Sequence, residues 1–235
     1  YGNTMTAAKI SEKLFQGREE VQGLTIDGPA SRDLDDAIWL EKKGKDYVIH
    51  VSITDAGSQV GKGSVIDRRA FRRGFTRYYS NDTRQMLTES LSNYTLSLSE
   101  GNKKPTITVS VPVSENLKIG EPEIRRTYIV SKMRLSYEQA DGIMETDKSS
   151  MLNESFHLAK KLYELRRANG ALVYFDRKKG ITTSEEGNPV ILDKTERYNS
   201  HLLIQEFMVL ANQSVAGWLA RNNVPGLFRN HVARS

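Results

Sequence analysis

Four aspartates lie within ten residues near the start of the chain: Asp27, Asp33, Asp35 and Asp36. Like charges repel at this spacing, and a bound Mg²⁺ or Mn²⁺ removes the repulsion because these ions prefer carboxylate oxygen. Apolar runs at 24–26 and 37–40 flank the cluster. The carboxylates are therefore predicted on an irregular loop between two strands, where adjacent Asp35 and Asp36 can both face inward, which neighbours in a regular strand cannot do.

The same cluster has a plainer interpretation. Asp is a favoured turn residue, so an Asp-rich turn with solvated carboxylates is an open alternative. An EF-hand is disfavoured, because the cluster lacks the alternating acidic positions, the central Gly and the closing Glu of that loop, and no helical pattern precedes it.

Composition excludes several function classes. The 235 residues suffice for one large domain or two small ones, and no apolar run approaches the ~20 residues of a membrane span. The chain has no cysteine, which excludes disulfides, zinc–thiolate sites and thiol nucleophiles. Its four histidines are widely spaced, and neither a phosphate-binding Gly-Lys loop nor a nucleophile elbow occurs. No signal peptide is evident, so we expect a cytoplasmic protein without a membrane partner, or an organellar one if a targeting segment has been removed.

The positive charge suggests a polyanionic substrate. The formal net charge is +5, and paired cations recur along the chain, among them Arg68-Arg69 and Arg72-Arg73. Such pairs often form only a solvated surface. Beside a tight acidic cluster they are typical of an enzyme that holds a polyanion in a positive channel around a metal-bound centre.

The hydrophobic pattern predicts an α+β protein, with meandering strands followed by long helices. Strands are expected at 37–40 and 47–53, joined by a turn at 43–46, and again at 106–113, half-buried, and 123–135. A basic helix is expected from Val65 to Tyr78, with Ile66, Ala70 and Phe71 facing a core. Further helices are expected at 136–144, at 149–169 and from Ser200 onward.

The acidic pattern Ile-Asp-x5-Asp-x-Asp-Asp-Ala resembles the metal-binding loop of the ribonuclease II and ribonuclease R family, the RNB-domain exoribonucleases. Further segments resemble the family in the same order, at 47–55, 75–79, 134–138, 170–175, 200–208 and 227–231. The resemblance implies an RNB-type catalytic domain over 23–235, with a mixed, mainly antiparallel sheet packed against long helices. Residues 1–22 are expected to form a lead and linker.

The resemblance also implies roles for particular residues. Asp27, Asp33 and Asp36 correspond to direct ligands of Mg²⁺, with Mn²⁺ as a substitute. Asp35 corresponds to a ligand whose role is tied to catalysis, and Tyr137 lies near the scissile phosphate. Side chains expected to bind single-stranded RNA are Tyr78 with its neighbour Arg77, Tyr174 or the adjacent Phe175, and the pair Gln205 and Glu206. The family usually carries two glutamates at the last pair, so Gln205 puts terminal-nucleotide binding in question.

The family's catalytic domain usually continues past the region that ends this chain and carries an arginine motif beside the scissile phosphate. That motif does not occur here, so we expect the C-terminal part of the domain to be absent, or to be completed by a separate chain.

The expected function is processive 3′→5′ hydrolysis of single-stranded RNA to nucleoside 5′-monophosphates by a two-metal mechanism. One alternative is a non-catalytic RNA-binding module of the same fold, and another is a hydrolase that acts on modified RNA ends.

Overall fold

The computed structural model describes residues 10–79, 82–171, 180–183, 189–192 and 198–228, with only the backbone described at 180–183 and 189–192. The helices are α1 Val65–Arg73, α2 Tyr137–Thr146, α3 Met151–Ala168 and α4 Asn199–Arg221. The strands are β1 Glu19–Val21, β2 Thr25–Asp27, β3 Asp36–Lys43, β4 Asp46–Thr54, β5 Arg77–Tyr78, β6 Thr83–Arg84, β7 Lys103–Val113, β8 Glu123–Val130, β9 Arg134–Ser136, β10 Gly180–Thr183 and β11 Pro189–Leu192. Short 3₁₀ turns at Glu12–Phe15 and Ala56–Ser58 and a π-helical turn at Leu91–Thr95 complete the described elements.

A five-stranded sheet organises the domain, with the strand order β1-β8-β7-β4-β3. Neighbouring strands from β8 to β3 are antiparallel, and β1 joins the edge in parallel with β8. β3 and β4 form a hairpin that turns at Gly44, whose φ of +66° favours glycine. The predicted turn at 43–46 and the α+β fold with a mixed, mainly antiparallel sheet are confirmed.

The main core lies between one face of the sheet and the long helices. Val109, Val111 and Val113 alternate along β7 toward this core, as the period of a strand requires. Leu203 and Phe207 of α4 are fully buried against the same cluster. The helices predicted at 136–144, at 149–169 and from Ser200 onward are confirmed. The first residue of each observed helix lies within two residues of the predicted one.

The opposite face of the sheet is also buried, so β7 is not the half-buried strand that its alternation predicts. Thr106, Thr108 and Thr127 form a buried chain of hydroxyl hydrogen bonds 2.6–2.8 Å long. The N-terminal segment covers this face. The Arg18 guanidinium donates to the carbonyl oxygens of Thr106 and Thr127 and pairs with the Asp55 carboxylate at 2.6 Å. Because β1 follows directly, part of the expected linker belongs to the sheet.

Helix α1 differs most from the sequence prediction. It ends at Arg73 because Gly74 adopts a φ of +76°, and Tyr78 lies instead on the β5–β6 hairpin. Ala70 is its one buried residue, whereas Phe71 is 88% exposed and Ile66 is 36% exposed. The expectation that Ile66 and Phe71 face a core is wrong.

The strand expected at 123–135 is interrupted after Val130. β8 stays in the main sheet, and β9 pairs in parallel with β2, aligning Asp27 with Ser136. This separate two-stranded ladder brings the start of α2 beside the acidic loop. No helix in the described ranges is long and apolar enough to cross a membrane.

Candidate active site

The acidic loop, residues 28–35, connects β2 to β3 and is held at several points. Leu34 is 1% exposed and anchors the loop in a small core with Ala37, Leu98 and Ile129. The Leu34 N–H donates to Ser97 Oγ at 3.2 Å, and its carbonyl accepts the Leu98 N–H at 2.8 Å. The Thr54 N–H donates to the Asp35 carbonyl at 2.9 Å. The backbone bearing the carboxylates is therefore fixed by neighbouring elements.

Arg134 braces the same loop from β9. Its Nη2 donates to the Ser31 carbonyl at 2.6 Å and to the Pro29 carbonyl at 3.3 Å. The positive charge of Arg134 also opposes the rise in the pKa of Asp27. Sequence reasoning did not assign this role, because the contact depends on the β2–β9 pairing, which no local pattern indicates.

Asp33 and Asp35 lie on the acidic loop, whereas Asp27 ends β2 and Asp36 begins β3, so the irregular loop predicted for all four carries only two of them. Burial, aided by repulsion from Asp36, Asp33 and Asp35, raises the pKa of Asp27 from its ordinary 3.8 to about 7. The Asp35 side chain reaches solvent, yet partial burial among surrounding atoms, with Asp33 and Asp36, raises its pKa to about 6. Burial also raises the pKa of Asp36. The structure thus places the four carboxylates close enough to repel one another.

These side chains fit a hard divalent cation in donor chemistry. Asp27 Oδ2 is buried and has no hydrogen-bond partner, which leaves a carboxylate oxygen free to ligate. The described residues contain no set of three or more Asp, Glu or His side chains placed to hold a metal ion. Mg²⁺ does not require one, since it commonly binds through one or two carboxylates, waters and substrate phosphates.

Tyr137 stands at the inner side of the site as the first residue of α2. The Ser136 cap of α2, with its reciprocal Gln139 bond, fixes this position. Burial raises the pKa of Tyr137, and the charges of Asp27 and Asp36 raise it further, so its hydroxyl stays protonated as a donor. Its ring stacks on His201 of α4, with centroids 3.8 Å apart and planes 12° from parallel.

Asp141 fixes the position of His201 by holding the start of α4. Its carboxylate accepts the backbone N–H groups of Asn199 and Ser200 at 2.7 and 2.9 Å, which caps the start of α4 from α2. Neither Asp141 nor His201 was predicted as a site residue. The helical pattern indicated the two helices but not the contact between them.

Tyr78 lies at the outer side of the site. Its hydroxyl donates to Asp33 Oδ2 at 3.2 Å, and its side chain is 71% exposed, so the ring is available to a ligand. Burial of the hydroxyl and the nearby Asp33 raise its pKa. Arg77, the neighbouring predicted residue, lies over the Phe75 ring at 5.2 Å.

An open groove of about 940 Å³ extends from Asp33 and Tyr78. The cationic side chains that line it are Arg32, Arg69, Arg73 and Arg84. Arg69 and Arg73 are four residues apart and share one side of α1, a spacing that could have identified them in the sequence. The groove joins a positive wall to the carboxylate cluster.

The remaining predicted residues lie apart from this cluster or outside the described part of the chain. Glu206 is 2% exposed and accepts two hydrogen bonds from Arg166 of α3, at 2.7 and 3.0 Å. Gln205 donates to Glu206 at 3.0 Å. Neither contact joins the pair to the acidic loop. Tyr174 and Phe175 lie outside the described residues.

One prediction follows from the raised carboxylate pKa values. The folded protein keeps Asp27 and Asp35 protonated at pH values where the unfolded chain, with a carboxyl pKa near 3.8, has already released these protons. The protonated carboxyls therefore stabilise the fold at low pH, and this contribution is lost as pH rises through about 6 for Asp35 and about 7 for Asp27. Thermal denaturation in EDTA should show a melting temperature that falls between about pH 5 and about pH 8. Mg²⁺ should raise it more at the higher pH. Asp27→Asn should flatten the pH dependence, and an unchanged slope in that variant would contradict the assignment.

Comparison with known proteins identifies relatives over nearly the whole chain. A family model described as RNB domain matches residues 18–235. Ribonuclease R of Thermotoga maritima is 31% identical over 237 residues, covering 95% of this chain and 33% of the relative. Ribonuclease R of Mycoplasmopsis pulmonis is 29% identical over 231 residues, covering 94% and 32%. The chain therefore spans about a third of the length of these curated relatives.

Solved structures share the fold. Mycoplasma genitalium RNase R in complex with ribose-methylated single-stranded RNA matches with a TM-score of 0.83 and 25% identity, over 92% of this chain and 36% of that one. Yeast Ssd1, described as a pseudonuclease, matches with a TM-score of 0.74 and 18% identity, over 93% and 28%, which bears on the fold alone.

Proposed function

The chain belongs to the RNB domain family, and from that premise we propose that its acidic site hydrolyses single-stranded RNA stepwise from the 3′ end to nucleoside 5′-monophosphates, in dependence on a divalent metal. The observation that carries the proposal is the mutual repulsion of Asp27, Asp33, Asp35 and Asp36, three of them with raised pKa, beside an arginine-lined groove that Asp33 also lines. The curated relatives bear the name Ribonuclease R, and one related structure contains single-stranded RNA.

Asp27, Asp33, Asp35 and Asp36 would hold Mg²⁺ or Mn²⁺. When bound, the metal would supply an acidified water and neutralise charge on the phosphate and leaving oxygens. The unpartnered Asp27 Oδ2 supports this assignment.

The chain's own side chains would orient the RNA and the water. Asp35 would accept a hydrogen bond from the attacking water and so aim it at the phosphate. The Tyr137 hydroxyl, kept protonated beside Asp27 and Asp36, would donate to a phosphate oxygen. Groove arginines such as Arg73 would bind backbone phosphates, which carry no sequence information.

The test is degradation of a 5′-labelled single-stranded RNA with Mg²⁺ or Mn²⁺ and with EDTA. A ladder that shortens from the 3′ end, only with metal, is the expected result. Internal cuts, or shortening that persists in EDTA, would contradict the proposal.

A second candidate function is a non-catalytic RNA-binding module. The specific observation in its favour is Gln205, an uncharged side chain at a position where the family usually carries a glutamate. The retained carboxylates argue against it, because a pure RNA binder gains nothing from a repulsive acidic cluster beside the phosphates. RNA binding without metal-dependent shortening would favour this candidate.

A prediction concerns the Tyr78 ring. Stacking of a base on an aromatic side chain contributes about 1–3 kcal/mol, so Tyr78→Ala should weaken RNA binding by roughly 10- to 100-fold. Tyr78→Phe keeps the ring and removes only the bond to Asp33, and it should bind nearly as the parent does. Fluorescence anisotropy of labelled RNA in EDTA measures both. Equal loss in both variants would show that the hydroxyl, not stacking, matters.

A further inference from the structure

We propose that a second surface, formed by Arg72 and Phe75 beside the groove, binds nucleotides of the RNA strand upstream of the scissile end. The surface is a shallow depression of about 280 Å³ next to α1 and the β5–β6 hairpin. Its lining residues are Arg72, Arg73, Phe75, Arg77 and Arg84. This inference deepens the proposed function and rests on it only in assuming that the groove receives RNA.

The first argument is the exposure of aromatic side chains here. Phe75 is 61% exposed, and Phe71, four residues before it in the sequence, is 88% exposed on a helix that buries only Ala70. Large apolar side chains gathered on a surface indicate a binding site more often than a single exposed residue does. Arg77 already lies over the Phe75 ring at 5.2 Å, so the ring stands in a cationic setting.

The depression beside α1 is also positively charged. The lining of the depression contains four arginines and no carboxylate. Arg84 forms its ion pair with Asp82 at 3.9 Å, with both side chains largely exposed, which leaves it available to another anion. A site that combines arginines with an exposed ring suits single-stranded nucleic acid, whose phosphates and bases match both features at once. A protein partner would need a dense acidic surface to match it.

The depression is continuous with the groove that leads to the active site. Arg73 and Arg84 line both the depression and the 940 Å³ groove, so the two cavities share a border. The groove leads from this border to Asp33 and Tyr78. An RNA strand whose 3′ end lies at the carboxylates can therefore extend across Arg73 and Arg84. Its upstream nucleotides then lie on Phe75. Phe75 and Tyr78 are three residues apart, so their Cα atoms lie within about 11 Å of each other, and only an RNA of about two nucleotides is too short to contact both.

The experiment measures RNA binding against length. Dissociation constants are determined in EDTA, where no cleavage occurs, for single-stranded RNA of about 2 and about 15 nucleotides. The double variant Arg72→Ala/Phe75→Ala changes two exposed side chains. It should bind the longer RNA about 10-fold more weakly and the shorter RNA within about twofold of the parent, with a smaller salt dependence for the longer RNA.

The matched control is Lys160→Ala/Lys161→Ala, which removes two exposed cations from α3 and should leave both affinities close to those of the parent. Equal weakening for both RNA lengths, or no weakening for the longer one, would overturn the inference. Thermal denaturation of the double variant verifies that it is folded. If the parent fails to shorten RNA but the double variant binds only the longer RNA more weakly, the proposed function is contradicted and the second surface is supported. If the parent shortens RNA and the loss is absent, the surface fails alone.

Discussion

Asp35→Asn is expected to reduce the rate of metal-dependent RNA shortening by about 10²–10³-fold or more, because one pre-organised charge at the reacting centre typically contributes that much. The substitution removes a negative charge that Asp33 and Asp36 oppose, and it preserves the backbone carbonyl that Thr54 holds at 2.9 Å. The fold should therefore be unaffected. RNA affinity measured without metal should stay the same or increase, since a charge that repels phosphate is lost.

Stability provides an independent signature for the same variant. The pKa of Asp35 is raised to about 6, so its ionised form destabilises the metal-free protein at neutral pH. Asp35→Asn should then raise the melting temperature in EDTA at neutral pH while it lowers activity. Loss of activity with loss of stability would instead indicate a structural role.

Asp147 offers a control in which the pKa of the carboxyl is lowered, whereas that of Asp35 is raised. Hydrogen bonds from Ser149 lower the pKa of this exposed carboxylate, which lies at the end of α2, outside the acidic loop. Asp147→Asn should therefore lower the melting temperature slightly and leave RNA shortening unchanged. The two aspartate variants together separate the chemistry of the loop from a general effect of removing a carboxylate.

Arg166→Met is expected to lower the free energy of unfolding by about 3–5 kcal/mol, because it leaves the Glu206 carboxylate buried without its cationic partner. Glu206 is 2% exposed, and the Arg166 side chain is 21% exposed. Two hydrogen bonds join them, and they raise the pKa of Arg166. Urea denaturation measures the effect. A loss under about 1 kcal/mol would show that water or another group replaces the guanidinium.

The double variant Arg166→Met/Glu206→Leu is the control for this pair. Replacing a buried ion pair by apolar side chains of similar volume often restores or improves stability, so most of the loss should be recovered. The pair also bears on the RNA-binding role predicted for Glu206. If that role holds, Glu206→Gln should weaken RNA binding by more than its change in stability explains.

Much of the acidic site could be predicted because its signals are local. Four carboxylates within ten residues, flanked by apolar runs, indicated an acidic connection between two strands, and they predict a divalent cation there. Ser136 and Gly44 likewise indicated a helix start and a hairpin turn, which depend on a few neighbouring residues. The course of α1 was predicted less well. The periodicity of Ile66 and Phe71 is compatible with a buried face, but only the packed structure determines whether another element covers them.

The sequence by itself determined which side chains are candidates for the chemistry, because charge and backbone preference act over a few residues. Tertiary structure alone decided how these side chains are supported. The β2–β9 pairing sets Tyr137 beside Asp27, Arg134 braces the loop that bears Asp33, and His201 stacks on Tyr137 from a helix more than sixty residues away. These contacts join residues far apart in the chain, and their free energy appears only once the sheet and helices have closed around a common core.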